Sequence, residues 1–323
     1  MATYKEIKGT DIQVVSSDPA NPVLGQIWYN TTSQTLKGVK FSSSGSWATG
    51  GNLNTARGSV GNAGTQTAGL AFGGGTPPVT NLTEEYNGSS WTAGGNLGTD
   101  RDYLSGCGLQ TAALGFGGEN GAAALVDTEE YDGSAWTAGG NLATSRSDFQ
   151  GCGTQTAGLA FGGETPTSNL TKATEEYNGT SWTAGGNLNN FVDFGSGFGT
   201  QTAAVCFGGE PSPPTTENYD GTTWTVAPGV LNTERTRTGS AGTQTAGLAF
   251  GGRDPSPAPS NATESYDGSV WTTDSNIGTA RYNVRGAGIQ TAGLAFGGFT
   301  PTAQAATEEY NAGGPVTVTI SGS

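Results

Sequence analysis

Four Glu-Glu pairs, Glu84/Glu85, Glu129/Glu130, Glu175/Glu176 and Glu308/Glu309, are the residues of this chain best suited to moving protons. A pair of carboxylates can divide general-acid and general-base duty across a bond. Neighbours in a strand, however, point to opposite faces, so these pairs do not face one another. The expected role is structural, one carboxylate of each pair meeting an arginine or a turn amide. No histidine occurs in 323 residues, which excludes a Ser-His-Asp triad, a Cys-His pair and a histidine-ligated zinc or copper centre. The three cysteines form no disulfide framework. Cys107 and Cys152 stand where equivalent segments carry Ala63, Phe198, Ala241 and Ala287, and Cys206 replaces an alanine, so all three read as small packed residues in a reducing setting. No spacing matches a dedicated calcium loop. Neither cofactor nor metal is expected.

What positions these residues is a repeat. QTAGLAFGG stands at 66–74, 155–163, 244–252 and 290–298, with variants at 110–118 and 201–209. Gln66, Gln110, Gln155, Gln201, Gln244 and Gln290 are spaced by 44, 45, 46, 43 and 46 residues. A strand-like unit of that period predicts a propeller or a β array. The composition agrees, with 56 glycines at fixed phases beside Trp, Phe and Tyr, and no long stretch with apolar residues at helical spacing. The formal charge of −14 excludes a general nucleic-acid binder, because there is no basic surface to displace counterions from phosphate. Residues 1–46 nevertheless carry +1, with Lys5, Lys8, Lys37 and Lys40 against Glu6, Asp11 and Asp18, leaving −15 on the remainder. The shift predicts an N-terminal attachment segment over 1–46, a repeat domain over 47–314 and a C-terminal strand or tail over 315–323. MATYKEIKGT lacks the apolar core of a signal peptide, and no segment is expected to enter a membrane.

Within one unit, Gln66 to Phe72 alternates bulky Ala68, Leu70 and Phe72 with small Thr67, Gly69 and Ala71, the pattern of a strand. Gly73-Gly74 ends it, Thr83–Tyr86 forms a second strand, Asn87-Gly88 a hairpin turn, and Trp91 opens a third. The next unit's first strand is placed after Arg101, ending in a Gly106-Cys107-Gly108 turn. Four short strands cannot cover both their own faces, so radial stacking of sheets is required. The counts predict six blades. Six tyrosines (Tyr86, Tyr131, Tyr177, Tyr219, Tyr266, Tyr310) accompany six tryptophans (Trp47, Trp91, Trp136, Trp182, Trp224, Trp271), but Trp47 precedes the first unit and none follows Tyr310. The strand around Trp47 is therefore expected to complete the last sheet and close the ring, with Val316–Ile320 as the rival for that place.

The order of arginine (Arg57, Arg101, Arg146, Arg281), apolar strand, Gly-Gly, Glu-Glu-Tyr-Asp/Asn-Gly and Trp resembles the kelch repeat, over residues 47–310. The fourth unit departs from it, reading Asn189 to Phe194 without the arginine. The wording SSWTAGGNLNTAR and GTQTAGLAFGG is similar to kelch-like proteins of marine tailed bacteriophages, and PVLGQIWYN with LKGV resembles short segments of phage appendage proteins. The resemblance implies an all-β, six-bladed kelch-like β-propeller in a virion structural or tail-fibre protein, localised to the particle. It further implies attachment to other virion proteins through residues 1–46, and a homo-oligomer, a trimer by analogy with phage fibres. Copper oxidases of the kelch type need histidine ligands and are excluded. A sialidase-like glycosidase would need clustered arginines, whereas here they recur once per unit. A purely structural capsid or tail decoration is the alternative.

Binding is expected on the variable loops that follow Gly-Gly, at 75–82, 119–127, 164–173, 210–216, 253–262 and 299–306, which share a face with the long turns between Trp and Arg. The candidate contact residues are Phe191, Asp193, Phe194, Asp254 and Phe299, with Phe198 close by. A host-surface glycan or a virion protein is the expected partner.

Overall fold

A Gln-Thr pair turns the chain in every repeat, and the strands on either side of it set the frame. In the second unit Ser105–Leu109 runs into Gln110-Thr111 and returns as Ala112–Phe116. The expected Gly106-Cys107-Gly108 turn is thus corrected: those residues lie inside the first strand. Gly108 takes φ +101°, and a Cβ there would stand 2.3 Å from Ala112 O, so glycine here permits a kinked inner strand beside its partner. The computed structural model describes residues 12–20, 26–41, 45–75, 78–167, 169–211, 215–313 and 315–320. The described residues contain no helix. Two compact units result, Met1–Gly45 with Ala312–Ser323, and Ser46–Asn311.

The larger unit contains, among the described residues, six antiparallel four-stranded sheets. Sheet I is Gly61–Thr65, Ala68–Phe72, Thr83–Tyr86 and Trp91–Ala93, and sheet II is Ser105–Leu109, Ala112–Phe116, Thr128–Tyr131 and Trp136–Ala138. Sheet III runs from Gln150–Thr154 to Trp182–Ala184, sheet IV from Ser196–Thr200 to Trp224–Val226, and sheet V from Gly239–Thr243 to Trp271–Asp274. Sheet VI comprises Arg285–Ile289, Ala292–Phe296, Thr307–Asn311 and, as its outermost strand, Ser46–Thr49. Trp47 pairs with Tyr310, their rings 5.2 Å apart. The C-terminal strand Pro315–Thr319 pairs instead with Thr35–Phe41.

The alternation read in the sequence becomes inter-sheet packing. Leu70 and Phe72 pack with Leu104, Ala113 and Tyr131 of the second unit, while Ala71 faces Leu294 and Phe296 of sheet VI. Each buried Leu or Phe contributes roughly 1.5–3 kcal/mol. Three side chains of the second unit fix its stacking. Gln110 Nε2 donates to Gly69 O and Tyr86 O, Trp136 Nε1 to Thr83 Oγ1, and Tyr131 Oη to Glu85 Oε1, each reaching into the preceding sheet. Sheet I makes the same three contacts with sheet VI: Gln66 to Gly293 O and Tyr310 O, Trp91 to Thr307, and Tyr86 to Glu309.

The smaller unit is a mixed sheet. Gln13–Val15 runs parallel to Ile27–Asn30, which forms a hairpin with Thr35–Phe41. Asp18 is its polar anchor, accepting from Trp28 Nε1, Asn30 Nδ2 and Lys37 Nζ. The Lys37 hydrogen bond, followed by those from Asn30 and Trp28, lowers the Asp18 carboxyl to about 2. Lys37 is therefore committed within its own sheet. Lys5 and Lys8 lie outside the described residues, as does the Lys40 side chain.

Candidate functional site

The first glutamate of each pair is buried against a repeat arginine, and the second faces the next sheet's tyrosine. Arg57 Nη2 meets Glu84 at 3.1 Å and Arg281 meets Glu308 at 3.0 Å, while Arg101 and Arg146 pair with Glu129 and Glu175. The guanidinium also donates to carbonyls at the strand ends, as Arg57 does to Gly73 O and Leu82 O. Desolvation lowers the arginine pKa values, countered by the facing carboxylate. Tyr86, Tyr131, Tyr177 and Tyr219 are raised to about 12, first by desolvation and then by their glutamate acceptors. Every Glu-Glu pair is thus committed to the scaffold. A fifth arginine, Arg235, pairs with Glu264 at 2.7 Å. Sequence reading missed it, although it stands nine residues before Gln244, as Arg57 stands before Gln66.

Where the six copies differ is the rim on the loop-bearing face. Ser59, Tyr103, Asp148, Phe194, Arg237 and Asn283 each stand seven residues before a repeat glutamine, and all six adopt positive φ, between 49° and 58°. Each such non-glycine residue costs of the order of 1–3 kcal/mol and persists only where its surroundings enforce it. The enforcement is a circuit of backbone hydrogen bonds. Tyr103 N donates to Ser59 O, Asp148 N to Tyr103 O, Phe194 N to Asp148 O, Arg237 N to Phe194 O, Asn283 N to Arg237 O, and Ser59 N to Asn283 O, returning to its origin. Six unlike side chains therefore project from six equivalent backbone positions.

Their electrostatics are unusual for an acidic protein. The Arg237 guanidinium lies 3.3 Å from the Phe194 ring centroid, and Arg285 Nε donates to Val60 O. Burial, then the nearby Asp193 charge, pushes the Asp148 carboxyl up to about 8 against the pull of Arg237. Asp193 rises to about 7 through burial and Glu164, and Asp102 to about 7 through burial and Glu119. Asp148, Glu164 and Asp193 each bring a carboxylate oxygen within 4.8 Å of the others, a donor set of the hard type that divalent cations take. The space between Tyr103, Asp148, Phe194, Arg237, Asn283 and Arg285 is only about 10 Å³. That is room for about one water. A larger cavity of about 430 Å³ opens further out, between the loops of sheets IV and V.

The expected contact residues separate. Phe194 belongs to the rim, and Asp193 is buried in the acidic cluster beside it. Phe299 stacks on Tyr282 with ring centroids 5.7 Å apart. Phe191 is 46% exposed and sits under the Lys172 ammonium at 4.7 Å. Asp254 holds its own loop, accepting from Ser256 and Ala258 amides, and borders the larger cavity. Phe198 is corrected from the loop face to the interior, buried against Phe207, Tyr266 and Trp271. Sequence reading did not find Ser59, Tyr103, Asp148, Arg237 or Asn283. The available signal was a position at fixed offset from the repeat glutamine where all six copies disagree.

No protein-family model matches the chain, and no curated protein matches it.

Proposed function

We propose that residues 46–311 form a six-bladed, kelch-like β-propeller closed by the strand Ser46–Thr49, and that the chain is a non-catalytic virion component of a tailed bacteriophage. In this reading it is an appendage or tail-fibre part that presents its loop-bearing face to a host-surface glycan or a virion protein. Residues 1–46 attach it to the particle, and the protein assembles as a homo-oligomer. Ring closure is supported by the hydrogen-bond circuit through the six rim residues and by the identical contacts of sheet I with sheet VI and of sheet II with sheet I. A single cavity lined by all six inner strands, including Ala63, Cys107, Cys152, Phe198, Ala241 and Ala287, points the same way.

The observation that carries the binding role is the contrast between frame and rim. Gln, Trp and Tyr recur in all six copies, whereas the six strained rim positions hold six residue types. Strain maintained where identity diverges is what a recognition surface on a rigid scaffold requires. The non-catalytic role is supported by the absence of histidine and by the glutamates committed to arginine and tyrosine. Binding of the full chain to a glycan array and to host cells is the test. Saturable binding supports recognition, and a flat response on both leaves the purely structural role. Particles that incorporate a chain lacking residues 1–40 as well as the intact chain would remove the attachment role.

A further inference from the structure

We infer that the cavity between the loops of sheets IV and V is a binding site for a neutral saccharide unit. This rests on the reading above that the loop-bearing face recognises a partner, and it names the place and the ligand class. At about 430 Å³ the cavity falls within the range of small-ligand pockets. Thr236 is one of its lining residues, 8% exposed, and its Oγ1 is buried without a hydrogen-bond partner. That covered hydroxyl reaches a ligand group only when the side chain turns towards the cavity, and the desolvation cost it carries unpaired favours that turn.

Arg253 pairs with Thr236 through both backbone bonds, which sets the two side chains at one level of the cavity wall. Its guanidinium is held in place before any ligand arrives. Nε donates to Pro257 O at 3.0 Å, and the Cζ lies 4.5 Å from the Tyr282 ring centroid. No ion pair engages it among the described residues, so its terminal nitrogens remain available. The residue after Gly-Gly is Gly75, Glu119, Glu164, Glu210, Arg253 or Phe299 in the six copies, so only this one offers a cation.

Ligand class follows from the donor and acceptor balance. Glu210, Glu234 and Asp254 line the cavity with Arg253, while Arg235 is already neutralised by Glu264. Three carboxylates against one free guanidinium repel a phosphate, a sulfate or a uronate. Carboxylates accept, guanidinium donates, and the threonine hydroxyl does both, which suits vicinal hydroxyls, each a donor and an acceptor. Pro255 and Pro257 add apolar surface for the C–H face of a sugar ring.

The test uses the full chain and saturation-transfer NMR with glucose, galactose, mannose and N-acetylglucosamine, with glucuronate and inorganic phosphate as charged counterparts. At least one neutral sugar is expected to receive saturation, and Arg253→Met and Thr236→Val are each expected to weaken it at least tenfold while the thermal midpoint holds. Should Thr236→Val fail to fold, Glu210→Gln, at an exposed carboxylate, replaces it. The inference is overturned if no neutral sugar responds, if glucuronate or phosphate binds more tightly, or if binding survives the substitutions. Cell binding by wild type and Arg253→Met separates the two levels: equal binding removes the saccharide pocket and keeps the recognition face, whereas no binding by either removes the face itself.

Discussion

Replacing Arg101 with methionine should cost the protein about 3–5 kcal/mol, the penalty for stranding a buried carboxylate by removing its partner. Arg101 is fully buried and donates to Gly117 O, Asp127 O and Glu129. Methionine keeps most of the volume but leaves Glu129 with the Gly98 amide as its donor. The fourth unit shows how the chain manages without this arginine. Val192 occupies the position, and Glu217, 1% exposed, accepts instead from the amides and side chains of both Asn189 and Asn190. The equivalent residues in the second unit are Gly98 and Thr99. Asparagine is compatible with the first of these, since Asn54 and Asn232 stand at the same phase and donate to Glu84 and Glu264. Adding Gly98→Asn and Thr99→Asn to Arg101→Met supplies two side-chain donors to a charged acceptor, worth roughly 1.5–3 kcal/mol each before the entropy of ordering them. The triple variant should therefore recover about half of the loss. Guanidinium denaturation followed by tryptophan fluorescence measures both. A single variant within about 1 kcal/mol of wild type would show that the buried pair is not what satisfies Glu129. A triple variant no better than the single would show that the asparagines of the fourth unit do not replace the guanidinium.

Further expectations concern the rim, the interior and the seam. The Asp148 carboxyl, raised to about 8 in the folded protein from an ordinary 3.8, favours folding when protonated, so its contribution is lost as pH climbs from about 4 through 8. Asp148→Asn should flatten the fall in denaturation midpoint between pH 5 and 9, and unchanged slopes would contradict the buried-acid reading. Gly247→Ala places a Cβ 1.9 Å from Phe198 Cζ, which should destabilise by at least roughly 1–3 kcal/mol. Adding Phe198→Ala should make the alanine at 247 harmless, and calorimetry would reveal a failure to do so. Thr307→Val removes the acceptor of Trp91 Nε1 as Thr83→Val removes that of Trp136. Each should cost about 1–3 kcal/mol for an unpaired buried donor, and a silent Thr307→Val would mean that sheets VI and I are not joined as sheets I and II are.

The strand pairs of each unit were legible because alternation and Gly-Gly stops act over a few residues. The innermost strand is longer than its composition suggests, since Gly106-Cys107-Gly108 carries turn-like residues for a reason of packing rather than of turning. Arg235 is hard to tell from Arg237 in the sequence because only its distance from Gln244 distinguishes the scaffold residue from the rim residue. Phe198 looked like part of an exposed aromatic group because three phenylalanines fall within eight residues, whereas the register of Ser196–Thr200 turns this one inward.

Period, strand content, the hairpin turns and the lack of imidazole chemistry follow from the order of residues alone, because each depends on local geometry or on side-chain inventory. The counts of Trp and Tyr already pointed to Trp47 as the completing strand, but the choice between it and Val316–Ile320, and the meeting of Ser59, Tyr103, Asp148, Phe194, Arg237 and Asn283, were decided by tertiary structure. These contacts link residues up to more than 200 positions apart, and no local preference encodes a position that acquires its meaning only when the sixth sheet meets the first.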